Sequence, residues 1–120
     1  MAEASSLKVE DAEGVCVVSF RDASILDVLT IQRIGKELYD LVEVGGRRSI
    51  VLDFSDVRFM SSQALGVLLT LRTKANKAGA RIALASIRTE LARVFKITNL
   101  DRLFKFHASR QAAVQSLAQA

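Results

Sequence analysis

Apolar and polar positions along the 120-residue chain follow two rhythms. Residues 8–11, 14–20 and 49–54 are rich in β-branched side chains and bounded by glycine or charged residues, which predicts strands. Glu13 and Gly14 fit a hairpin turn between the first two. Between the second and third runs, Ile31, Ile34, Leu38, Leu41 and Val42 recur at helical spacing. Asp27 stands where a helix cap is wanted, and Gln32, Arg33, Lys36, Glu37 and Asp40 occupy the wetter side. Gly45 and Gly46 end that helix and turn the chain into the third strand.

A second helix is predicted from Ser62 to about Lys77. At about 100° per residue, Ala64, Leu65, Leu68, Leu71, Ala75 and Ala78 gather on one side. Ser62, Gly66, Thr70, Thr73 and Lys77 fall opposite, with Leu69 at the boundary near Ser62 and Val67 on the other flank. Gly66 costs about 1 kcal/mol of helix propensity relative to alanine. It serves either close approach by a partner or close packing against a neighbouring element. Gly79 stops the helix, and Arg81–Ala85 reads as a short strand. Thr89 is expected to cap a helix with Leu91, Val94 and Phe95 on its apolar side. An edge strand over 103–106 follows, and Ser109 caps a last helix carrying Ala113, Val114 and Leu117. Beyond the hairpin the order is β–α–β–α–β–α–β–α, and crossovers of this length return strands in parallel. The expectation is an α/β layer, a small mixed β-sheet with helices over at least one face.

Length and composition fit one domain over 7–118 behind a flexible lead-in over 1–6. The amino terminus lacks a signal-peptide pattern. The richest apolar stretch, 64–71, is broken by Gly66 and Thr70 and followed by Arg72, so no membrane insertion is expected and the localisation expected is cytoplasmic. The formal charge is +4, but the basic residues are scattered, tryptophan is absent and Tyr39 is the only tyrosine. No direct nucleic-acid binding is expected. Cys16 is the only cysteine and reads as strand core. With His107 the only histidine, the chain offers no zinc-ligand set and no Ser–His–Asp or Cys–His arrangement.

Chemistry concentrates after the third strand. Ser61 and Ser62 open a helix whose first N–H groups lack partners, a place suited to a capping hydroxyl and also to a phosphate. The pair reads either as simple caps or as a site where charge is added and removed. Asp53 and Asp56 lie around the end of the third strand, and Asp22 and Asp27 follow the second. If those edges meet, an acidic rim surrounds Ser61 and Ser62, in a place where open α/β sheets hold magnesium. The wider pattern does not support an enzyme. Gly45 and Gly46 lead into Arg47 and Arg48 rather than a nucleotide-loop ending, and Asp53–Phe54–Ser55 lacks a second aspartate two residues on. No cofactor and no metal are expected.

The segment Asp53–Phe54–Ser55–Asp56–Val57–Arg58–Phe59–Met60–Ser61–Ser62–Gln63–Ala64–Leu65–Gly66 resembles the signature of the STAS domain, and specifically of the small single-domain anti-sigma factor antagonists of bacteria. Ile25–Leu26–Asp27 is similar to the family's Leu-Asp before the first helix, and residues 91–104 to its closing passage into the edge strand. The usual Asp-Ser-x-Gly-Leu is altered here: Ser61 stands at the aspartate position, Ser62 at the phosphorylated serine, and Ala64 and Leu65 at the Gly-Leu pair. The resemblance implies helices packed mainly on one side of the sheet. It also implies a binding module controlled by phosphorylation at Ser62, with Ser61 as the alternative acceptor. Its partners would be an anti-sigma factor of serine-kinase type and a serine phosphatase, met through Asp22, Asp27, Asp56, Ser61, Ser62, Gly66, Leu69, Thr70 and Thr73. The alternative is an unswitched STAS scaffold or adaptor subunit.

Overall fold

A computed structural model describes residues 6–118. Among these the order is β1 (Leu7–Ala12), β2 (Val15–Phe20), β3 (Ser24–Ile25), α1 (Val28–Glu43), β4 (Ser49–Asp53), β5 (Phe59–Met60), α2 (Ser62–Ala78), β6 (Arg81–Ala85), α3 (Thr89–Ile97), a 3-10 turn (Leu100–Arg102), β7 (Lys105–His107) and α4 (Arg110–Ala118). The main sheet runs β1-β2-β4-β6-β7. β1 is antiparallel to β2, because Glu13 and Gly14 both take positive φ (52° and 80°) and close a tight hairpin. The later pairs are parallel, each reached through a helical crossover.

The pleat sorts side chains between two layers. Cys16, Val18 and Phe20 of β2, Ile50 and Leu52 of β4, and Leu84 of β6 enter the larger core. They meet Ile31, Ile34 and Leu38 of α1, Leu65, Leu68 and Leu71 of α2, and Leu91 and Phe95 of α3. Phe95 meets the rings of Phe54, Phe104 and Phe106 edge-on, with centroids 5.5–6.4 Å apart. The alternate residues Val15, Val17, Val51, Ala83 and Ala85 are covered on the reverse face by Ala113, Val114 and Leu117 of α4. The architecture is the expected small mixed sheet with helices mainly on one side. Cys16 is strand core, and burial pushes its thiol pKa up.

Several expectations shift. Residues 1–5 of the expected lead-in lie outside the described residues, and Ser6 is already buried, its N–H donating to Glu37 Oε2 at 3.2 Å. The edge strand starts at Lys105 rather than 103, since Leu100 and Phe104 turn inward around the 3-10 turn. Arg88, not Thr89, occupies the cap position of α3, and no side chain caps that helix. Ser109 does cap α4, its Oγ accepting from Ala112 N at 3.1 Å. Among the described residues no helix is long and apolar enough to cross a membrane.

Candidate functional site

Two loops that are distant in sequence are joined at one end of the sheet. β3 pairs in parallel with β5, and the main chain continues the join. Arg58 N and Phe59 N donate to Ala23 O (2.7 and 3.2 Å), and Ser61 N donates to Ile25 O (3.1 Å). The loop carrying Asp22 and Asp27 is thereby fixed beside the one carrying Ser61 and Ser62. Strands of two residues have no period to read, so this junction was invisible in the sequence pattern.

The two serines have different duties. Ser61 has extended backbone (φ −79°, ψ 166°) and caps α2, its Oγ accepting from Ala64 N at 3.2 Å. Ser62 is the first helical residue and is exposed. Among the described residues its hydroxyl has no partner. The N–H groups of Ser62 and Gln63 also find no acceptor there, so the helix start favours a nearby anion.

Along the outer side of α2, Gly66 stands in open space, where an added methyl carbon would meet nothing within 4 Å. Of its two readings, close packing against a neighbouring element therefore falls away. Thr70 and Thr73 are exposed, and Thr73 Oγ1 donates back to Leu69 O at 3.2 Å. Leu69 is half-buried at the margin of the larger core. From Ser62 to Thr73 this side of the helix extends about 16 Å.

The acidic rim forms only in part. Asp22 and Asp56 are exposed in their loops. Asp27 caps α1, accepting from Thr30 N at 3.0 Å and from Thr30 Oγ1 at 3.3 Å. Asp53 does not belong to the rim. It is 5% exposed and lies on the α4 side of the sheet, where Oδ1 accepts from Ser55 N (3.0 Å) and Oδ2 from Arg110 Nε (2.8 Å). Arg110 also donates to Glu10 Oε2 (2.9 Å) and Ser19 Oγ (2.7 Å). The Asp53 hydrogen bond raises the Arg110 pKa further, while Lys8 and then Arg110 hold the Glu10 carboxyl below its usual range. Among the described residues no three acidic, histidine or cysteine side chains form a metal-holding group.

Beyond Leu69, sequence reasoning missed the apolar part of this surface. Leu26, Val28, Leu29 and Phe59 are 51–69% exposed, all in or next to the joined loops and the first turn of α1. A signal was available: Leu29 lies about 160° from Ile31 around a helix, off the buried stripe. Apolar side chains left outside around an exposed hydroxyl suit protein docking.

A family model described as the STAS domain matches residues 6–113. A STAS-domain containing protein of Pseudomonas aeruginosa is 36% identical over 70 residues, 58% of this chain and 68% of its own. A Thermotoga maritima protein named as an anti-sigma factor antagonist is 32% identical over 72 residues, 60% of this chain and 64% of its own, just under two thirds of that relative. A crystal structure of a Thermotoga maritima protein so named superposes with a TM-score of 0.80 at 25% identity, covering 92% of this chain and 93% of that one. The anti-sigma factor antagonist SpoIIAA in its unphosphorylated form shares the fold, with a TM-score of 0.71 at 15% identity over 95% of this chain and 98% of its own.

Proposed function

This chain belongs to the STAS domain family, and from that premise we propose that it is an anti-sigma factor antagonist. In this reading it docks a serine-kinase-type anti-sigma factor through the Ser62 end of α2, and phosphorylation of Ser62 ends the complex. The observation that carries the reading is the division between the serines. Ser61 is committed to the cap, and Ser62 presents an unengaged hydroxyl to solvent. Serine and aspartate are comparable helix caps. Ser61 can therefore replace the family's usual aspartate without loss of the helix start, while removing a negative charge beside the acceptor.

A phosphate on Ser62 adds about −1.5 to −2 charges and three acceptor oxygens. At the free N–H groups of α2 it leaves the domain folded. In a docked interface lined by Gly66, Leu69, Leu26 and Phe59 it places a dianion among apolar groups, which is strongly unfavourable without a facing cation. About 1.4 kcal/mol is a tenfold loss of affinity, so one modification suffices as a switch. A serine phosphatase would restore binding. Asp22, Asp27 and Asp56 border the same surface and would orient the partner; no catalysis by this chain is required.

The test is affinity capture from the native cells with unmodified chain and with Ser62→Asp, followed by ATP and phosphate mapping on the captured complex. The reading expects a serine-kinase-type protein retained only by the unmodified chain, with phosphate at Ser62. Equal retention by both forms would support the unswitched adaptor reading instead.

A further inference from the structure

Away from the α2 start, a recess of about 220 Å³ opens between the beginning of β6, the approach to β7, the C-terminal half of α2 and the end of α4. Arg72, Asn76, Arg81, Lys105 and His107 supply its polar wall, and Phe104 lies among its apolar lining. The two arginines are oriented without being neutralised. Arg72 Nε donates to Leu103 O at 2.8 Å, and Arg81 Nη2 donates to Leu117 O at 2.6 Å. Each carbonyl fixes the plane of a guanidinium and leaves its other N–H donors available, the arrangement that a phosphate or carboxylate meets in bidentate fashion.

Among the described residues no aspartate or glutamate lines the recess. α2, β6, β7 and α4 contain no aspartate or glutamate at all. Among the described residues, none of Arg72, Arg81 and Lys105 has an acidic partner. The same wall holds the one buried side-chain polar atom left unpaired among the described residues, His107 Nε2. Buried polar atoms are normally paired, so this ring, set in the wall of the recess, is placed to sense a change there.

We propose that this recess binds a small phosphate-bearing metabolite. It is smaller than the roughly 300–1,000 Å³ of pockets for drug-sized ligands, which limits the occupant to a compact anion. Arg72 and Arg81 would clasp its phosphate oxygens, with Lys105 as the flexible third cation.

The test uses His107, the chain's only histidine, as a built-in reporter. Pyrophosphate is titrated into the tag-free full chain at constant ionic strength while the His107 ring signals are followed by NMR. The proposal expects a saturable one-site shift that matched sodium chloride does not produce. Arg72→Gln and Lys105→Gln should each weaken it about tenfold, the scale of one charge-assisted hydrogen bond, with amide dispersion retained. A shift that never saturates, an equal response to chloride, or unchanged affinity in both variants would overturn it. Docking at Ser62 plays no part in this readout.

Discussion

Arg110 and Asp53 lie 57 residues apart in sequence and meet at 2.8 Å, Nε donating to Oδ2. Because Asp53 also accepts from Ser55 N, one carboxylate ties α4 on the reverse face to the start of the loop that leads to Ser62. Its side chain is only 6% exposed, whereas that of Arg110 is 39% exposed and has two further partners. Loss of the arginine strands a buried carboxylate, while loss of the aspartate leaves a half-wet guanidinium screened by solvent. Arg110→Ala should therefore cost more in urea unfolding, about 2–3 kcal/mol against about 1–2 for Asp53→Ala. The reverse order would contradict this assignment.

The same cluster gives a pH dependence. Glu10 has its folded pKa lowered by Lys8 and by Arg110. Its contribution is present above the ordinary carboxylate pKa and is lost as pH falls through the lowered folded value. Amide exchange over 110–118 should quicken relative to β4 between pH 6 and pH 3. In Glu10→Gln that relative change should shrink; an identical response in the variant would exclude Glu10 as its source.

Adjacent serines should separate cleanly by stability. Ser61→Ala removes the α2 cap and should cost about 1 kcal/mol. Ser62→Ala, at an exposed hydroxyl without a partner, should change the unfolding free energy by less than about 0.5 kcal/mol. Chemical denaturation of both variants checks the pair, and equal losses would mean that Ser62 shares the cap.

What was readable in the sequence was whatever repeats. The stripes from Ile31 to Val42 and from Ala64 to Ala75 marked the helix faces that pack on the sheet, and the β-branched apolar runs of β2 and β4 marked its buried strands. The serine pair was equally legible, since a cap has a residue signature. Two-residue β3 and β5 were not, having main-chain pairing without pattern, and the exposed cluster of Leu26, Leu29 and Phe59 was hidden because apolar residues are read as core by default. Asp53 was misplaced for another reason. Its side of the sheet follows from the register beside Ser19 and Ala85, and its partner arrives from a helix at the far end of the chain.

Gly66 offers a test of surface against scaffold. Its neighbourhood is empty, so Gly66→Ala should stabilise the chain by about 0.5–1 kcal/mol through helix propensity. On the proposed docking surface, the same methyl should weaken partner binding. A variant that is more stable and still binds with full affinity would place the interface away from this turn of α2.

The most direct measurement compares three forms of the chain in a binding titration with the serine-kinase-type regulator: unmodified, Ser62→Ala, and phosphorylated at Ser62. Control by phosphorylation of Ser62 requires that the first two bind alike and the third at least about tenfold more weakly, with all three equally folded. Equal affinity of the phosphorylated and unmodified chains would contradict it.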